Sequence, residues 1–138
     1  MSKVANRIEE IEEALRELEE LTSMDQRSFL KSRTARFSAR YSIVQIVEAS
    51  ADLGVLILQI EGESARSYRE IFKKLALRGI ISVSTFEVMA RLASLRNMVV
   101  HRYWEVDDLR IYREARSGGL EAIRSFIREV KAYLSEKG

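Results

Sequence analysis

The stretch IVQIVEASADLGVLILQI, residues 43–60, decides between a helical and a stranded fold. Ile43, Val44, Ile46, Val47, Leu53, Val55, Leu56, Ile57, Leu58 and Ile60 leave it little polar face. Its β-branched residues would suit a sheet, because branching at Cβ stiffens χ1 and packs well on a pleated surface. The run is too long for one strand and holds no turn signal, so it reads as a buried helix. Extended backwards over the polar residues before it, the predicted helix covers residues 27–61, with Gly62 as its stop. Glu48 and Asp52 interrupt the apolar run, which identifies a core helix and not a membrane span.

A helix apolar on nearly every side needs other helices around it, and the flanking sequence supplies them. Val4, Ile8, Ile11, Leu15, Leu18 and Leu21 recur in alternating steps of three and four, with Glu, Arg and Lys between them. That stripe suits an outer helix of a bundle, and equally a coiled-coil seam with a partner chain. A third helix is predicted from near Ser64 to Gly79, presenting Tyr68, Ile71, Phe72 and Leu75. Ser84-Thr-Phe-Glu87 reads as a capping box opening a fourth helix, which carries Val88, Leu92, Leu95 and Val99 and runs to about His101. Asp107 or Asp108 caps a last helix whose apolar positions run from Ile111 to Leu134, bent or interrupted at Gly118-Gly119. The expected fold is all-α, an antiparallel bundle of about five helices in a single domain, residues 1–138.

Composition agrees and excludes several functions. The 138 residues include no proline, no cysteine and one histidine, with 46% hydrophobic and 32% charged residues. Lack of proline favours uninterrupted helices. Without cysteine there is neither a disulfide framework nor a thiolate zinc site, and one histidine rules out a multi-histidine metal site within a chain. No metal or cofactor is therefore expected. Met1 leads straight into charged helical sequence with no apolar leader, so a cytoplasmic location and no membrane association are expected. The net charge of +2 hides an asymmetry: residues 1–24 hold seven acids and three bases. Arg27, Lys31, Arg33, Arg36 and Arg40 follow with no acid among them after Asp25. Such a run suits a polyanion such as RNA, and it also suits a plain solvated helix face.

The run Arg96-Asn97-Met98-Val99-Val100-His101-Arg102-Tyr103 is where chemistry concentrates. Histidine titrates near physiological pH and serves as general acid or base. Arginine stays charged and grips phosphate through a bidentate fork. Asn97 and His101, four apart, share a helix face, whereas Arg96 lies about 140° around the axis from His101 and must reach across. By spacing alone, a lone histidine at a helix C-terminus also suits a simple capping role on the dipole.

The string R-N-x-x-x-H-x-Y resembles the Arg-x4-His-x-Tyr motif of the HEPN superfamily, specifically the HepT-like toxins. Residues 46–52 of the central helix, Ser67-Tyr68-x-x-x-Phe72-x-x-Leu75 and Val106-Asp107 extend the resemblance, which covers roughly residues 40–134. It departs at Glu63-Ser64-Ala65-Arg66, where many relatives carry a proline. The resemblance implies a metal-independent endoribonuclease toxin of a type II or type VII-like toxin–antitoxin pair, partnered by a minimal nucleotidyltransferase antitoxin. It implies that His101 moves the proton at the ribose 2′-OH or the leaving 5′-oxygen and that Arg96 holds the scissile phosphate. It further implies that Asn97 supports them and that Tyr103 is the hydroxyl that the antitoxin modifies by AMPylation. The alternative implied by the same superfamily is a non-catalytic HEPN module that binds a nucleotide or docks the nucleotidyltransferase.

One imidazole does not easily serve both ends of an in-line cleavage, so a two-fold homodimer with a composite site is expected. Arg33, Arg36 and Arg40, spaced along one helix face, are the candidate RNA-binding residues. Asp52 is expected in the cleft, beside Arg40 or Arg96. Trp104, Tyr112 and Phe126 are expected in the core or an interface. Phe29, Phe37 and Tyr41, which interleave with the basic run, are expected to pack against neighbouring helices in preference to stacking bases.

Overall fold

The computed structural model describes residues 2–137, and every element it forms among them is helical. Helix α1 (Ser2–Thr22) is followed by a short α2 (Gln26–Lys31), the long α3 (Arg33–Ile60), α4 (Tyr68–Leu77) and α5 (Val83–His101). A 3₁₀ turn, Tyr103–Glu105, leads into α6 (Asp108–Glu114), which continues through a π-type turn, Ala115–Gly119, into α7 (Leu120–Lys137). Helix α3 is the axis. Its Ile43, Ile46, Val47, Leu53, Ile57 and Leu58 are fully buried, enclosed by α1, α4 and α5. Among the described residues it is the helix long and apolar enough to cross a membrane, and more than half of its apolar stretch is buried by its neighbours.

Ion pairs and hydrogen bonds between helices set their directions. Arg7 pairs with Asp52 at 3.5 Å while Ser38 Oγ donates to Glu17 at 2.8 Å, so α1 runs antiparallel to α3. Lys131 pairs with Glu12 at 3.2 Å and Arg124 with Glu19, which lays α7 antiparallel to α1. Helix α4 runs with α3: Tyr68 at its start meets Glu48, and Arg78 beyond its end meets Glu61 at 2.8 Å. Gly54 makes that contact close. A Cβ there would lie 2.5 Å from Ile71 Cγ2, so only the missing side chain lets the two helices approach this far.

Helix interiors follow the apolar periods, whereas several ends differ from the sequence reading. The predicted second helix is two: Ser32 breaks it, accepting from Ala35 N at 3.0 Å as the N-cap of α3. A hydroxyl that caps is enough to end one helix and begin the next without Gly or Pro. Helix α4 starts three residues later than expected, because Ser67, not Ser64, holds the cap and accepts from Glu70 N at 3.1 Å. For α5 the cap is Ser82, not Ser84: its Oγ accepts from Thr85 N at 3.1 Å. Asp107 caps α6 as one of the two expected candidates, accepting from Arg110 N at 3.1 Å. Gly62 stops α3 with φ 75°, its N–H reaching Gln59 O at 3.1 Å. The interruption expected at Gly118-Gly119 is present, with Gly118 at φ 134°, a backbone conformation that side chains disfavour.

Candidate functional site

Four elements contribute to the candidate site. The last two turns of α5 carry Arg96, Asn97 and His101; the 3₁₀ turn carries Tyr103; the middle of α3 and the start of α4 contribute Glu48 and Tyr68. Arg96 is the fixed point. Its side chain is only 14% exposed, against 48% for that of Glu48. Its Nη1 donates to Asn97 Oδ1 at 3.0 Å and its Nη2 to Glu48 Oε2 at 3.4 Å. Below, the guanidinium lies 4.9 Å from the centroid of the Tyr68 ring, within cation–π range. The Tyr68 hydroxyl donates to the other oxygen of Glu48 and closes the frame. Burial pushes the Tyr68 phenol up to about 12, and the bond to Glu48 adds to the effect, so this hydroxyl remains a donor.

His101 is the last residue of α5 and is exposed, one turn beyond Asn97 on the same face. The helix ends there because Arg102 leaves the helical conformation, with φ −128° and ψ 42°. The chain then turns tightly, and Tyr103 stands 72% exposed and edge-on to Trp104, their ring centroids 5.3 Å apart. Arg96, Asn97, His101 and Tyr103 thus lie along one short segment, with Arg96 held and the other three open to solvent. A held cation in the same short segment as an accessible imidazole and an exposed phenol suits proton transfer next to a bound phosphate.

The other expected residues lie differently. Asp52 makes no ion pair with Arg40 or Arg96; it pairs with Arg7 of α1 at 3.5 Å, and its charge also acts on the Tyr68 phenol. The carboxylate at Arg96 is Glu48, one turn earlier, and the sequence reading passed over it. Its only signal was a charge in an otherwise apolar run. Arg40 donates from Nε and Nη2 to the two oxygens of Asp108, at 2.8 and 2.7 Å, and Arg36 lies 3.6 Å from the same carboxylate. Asp108 is buried and ties the start of α6 to α3. Arg33 is exposed, over the Phe37 ring at 5.8 Å. Tyr112, Phe126 and Phe29 are core residues, as expected. Phe37 and Tyr41 do not pack inward as expected; they stand exposed on the first half of α3 because its inward face is already filled by Ala35, Ala39, Ser42 and Ile43. Trp104 is likewise outside the core. Among the described residues no group of three or more His, Cys, Asp or Glu side chains is placed to hold a metal ion.

Comparison with solved structures places this architecture. The chain superposes with a TM-score of 0.83 on a tri-AMPylated HEPN toxin of Shewanella oneidensis in complex with MNT antitoxin, at 25% identity over 96% of this chain and 98% of that one. A toxin–antitoxin structure with AMP-PNP gives 0.81 at 23% identity, over 94% of this chain and 98% of that one. A Bacillus subtilis cytosolic protein of unknown function, YutE, gives 0.72 at 20% identity over 92% and 90%, a likeness of fold alone. No curated protein matches the sequence. The family model described as "Ribonuclease HepT-like" matches residues 11–130, nearly the whole bundle and all of the Arg96–Tyr103 segment, and the chain therefore belongs to the HepT-like family.

Proposed function

We propose that this protein is a metal-independent endoribonuclease toxin, working as a homodimer and silenced by an MNT-type nucleotidyltransferase antitoxin that AMPylates Tyr103. The observation that carries the reading is the segment in which a held Arg96 stands beside exposed His101 and exposed Tyr103, in a chain of the HepT-like family. The likeness to an AMPylated toxin held by an MNT antitoxin supports the partner and the modification.

In this mechanism Arg96 binds the scissile phosphate and stabilises the charge that builds on its oxygens. The frame of Glu48, Asn97 and Tyr68 fixes the guanidinium beforehand, which limits the reorganisation needed at the moment of reaction. One His101 takes the proton from the ribose 2′-OH as O2′ bonds to phosphorus. The His101 of the second subunit gives a proton to the 5′-oxygen as the P–O5′ bond breaks. The products are a 2′,3′-cyclic phosphate and a 5′-hydroxyl. Phe37, Tyr41, Val100 and Trp104 are large, exposed and apolar, and they supply the surface on which two chains would join. Of the candidates Arg33, Arg36 and Arg40, Arg33 is left to meet RNA, with Arg36 and Arg40 supporting it by anchoring α6 through Asp108.

AMP added at Tyr103 would bring negative charge beside Arg96 and His101 and compete with the substrate phosphate. The testing experiment incubates purified, unmodified protein with RNA in the presence and absence of EDTA. Cleavage is expected in both, and His101→Ala is expected to lower its rate by about 10²–10⁴-fold with helicity and dimer intact. Undiminished cleavage by that variant would refute the catalytic assignment. Incubation with the antitoxin and ATP should add AMP to the wild type and not to Tyr103→Phe, as read by intact mass.

A further inference from the structure

Two hollows lie along α5, one of them reaching Tyr68 and Asn97 of the site. One, of about 640 Å³, is lined by Arg66, Tyr68 and Arg69 from the start of α4 and by Ala90, Ser94 and Asn97 from α5. The next, of about 500 Å³, continues with Arg69, Phe86, Glu87, Arg91 and Arg110. They share Arg69, Ala90 and Ser94, so they form one furrow whose floor is made of small side chains. Asn97 at one end accepts from Arg96, and Tyr68 lies under the same guanidinium, so the furrow opens directly into the site. Along α5 it runs from Asn97 back to Glu87, about 15 Å by helix rise.

Its charge is nearly all of one sign. Arg66, Arg69, Arg91 and Arg110 face a single carboxylate of the lining, Glu87. Arg91 is paired with Glu114 at 3.3 Å. Arg66, Arg69 and Arg110 make no ion pair among the described residues, and Arg69 lies over the Phe86 ring at 5.2 Å. Glu70 and Asp107 accept from the backbone N–H groups of Arg66 and Arg110, which leaves the guanidinium groups themselves without an ion pair; in a trough that ends at Arg96 they suit a track for phosphates. Packed helices lie 8–10 Å apart, so a furrow between two of them admits one strand and excludes a duplex.

We propose that the α4–α5 furrow carries a single strand of RNA to and from the Arg96–His101 site, its phosphates held by Arg66, Arg69 and Arg110. The proposal deepens the ribonuclease reading and rests on it for the identity of the strand.

The probe is a fluorescein-labelled single-stranded oligouridylate, its binding followed by anisotropy across a salt series. Arg66→Ala/Arg69→Ala/Arg110→Ala should raise its Kd by about tenfold or more, and it should flatten the slope of log K against log salt by about 2, three lost phosphate contacts at ~0.7 each. An equal charge change elsewhere, Lys3→Ala/Arg16→Ala/Arg128→Ala, should alter neither by as much. A duplex of the same length should bind more weakly than the single strand. In cleavage, the furrow variant should show a raised KM on long RNA, while a dinucleotide, which spans only the scissile bond, is cut as by the wild type. Equal loss in the control variant, or unchanged Kd in the furrow variant, overturns the proposal whether or not the protein cuts RNA. Furrow-dependent binding without cleavage by the wild type would leave the track standing and remove the ribonuclease reading. Loss of nucleotidyltransferase binding with RNA affinity unchanged would assign the furrow to a protein partner and overturn it as an RNA track.

Discussion

Arg96 carries its charge inside a frame that no spacing rule along α5 describes. Asn97 is its chain neighbour, but Glu48 comes from α3 and Tyr68 from α4, so the frame exists only once three helices are packed. Glu48 has two opposed effects: it orients the guanidinium, and it competes with the phosphate for it. Orientation prevails in this geometry, because the Nη2–Glu48 contact is long at 3.4 Å and the carboxylate also accepts from Tyr68. Glu48→Ala is therefore expected to lower kcat by about tenfold, as loss of positioning does, with a smaller change in KM. Faster cleavage by Glu48→Ala would show that competition prevails. The phenol gives a second, independent reading. Burial and the Glu48 bond raise Tyr68 to about 12 in the folded state, above the value near 10 of a free tyrosine. A raised folded value means that this contribution to stability is complete below about pH 10 and is lost as pH rises through about 12. The frame is therefore intact at physiological pH. Ultraviolet titration of wild type and Tyr68→Phe should register the same number of phenolates formed between about pH 9 and 11, since Tyr68 ionises later. A missing phenolate in the variant over that range would show that the hydroxyl is free.

Helices were legible from their interiors and less so from their ends. The apolar stripe of α1 and the all-round apolar run of α3 could only be buried in a helical bundle, and they are: Ile11, Leu18, Ile46 and Leu53 are among the fully buried residues. Ends are decided by which of several nearby hydroxyls takes a cap, and Ser64 and Ser67, or Ser82 and Ser84, are equivalent by residue type. Packing chooses between them. Ser82 follows Ile81, which is buried, so the chain enters α5 already anchored and the cap falls at once. The break at Ser32 had no glycine or proline to announce it and lay inside a continuous basic run. These cap assignments lead to a sharp comparison. Ser82→Ala should cost about 1 kcal/mol, by loss of the acceptor for Thr85 N, whereas Ser84→Ala should cost only a few tenths. Thermal or urea unfolding followed by circular dichroism separates them, with a drop of roughly 3 °C expected for Ser82→Ala alone. Equal effects would mean that the helix start is shared between the two hydroxyls.

At the scale of the whole molecule, the motif gave the candidate site side chains, and the fold supplied what surrounds them. Arg96, His101 and Tyr103 were readable because they sit within eight residues. The Arg40–Asp108 pair joins residues 68 apart, and the Arg96–Glu48 pair residues 48 apart, and nothing in local sequence announces such partners. That pairing diverts two arginines of the predicted RNA-binding run into holding α6, while Arg66 before α4, Arg69 on α4 and Arg110 on α6 make no ion pair among the described residues. One constraint from composition bears on the proposal: a chain with one histidine has one imidazole for a proposed step that would use two. If each cleft draws on His101 of both subunits, its activity depends on the pair and not on the copy number. A heterodimer of wild-type and His101→Ala chains, purified through two different affinity tags, tests this directly. With separate sites it would keep half the rate of the wild-type dimer. With a shared cleft it should fall well below half, approaching the homodimeric variant, because every remaining cleft lacks either its base or its acid. A rate at half would return the chemistry to one subunit and require a second proton carrier within it, for which Tyr103 is the nearest exposed hydroxyl along the chain.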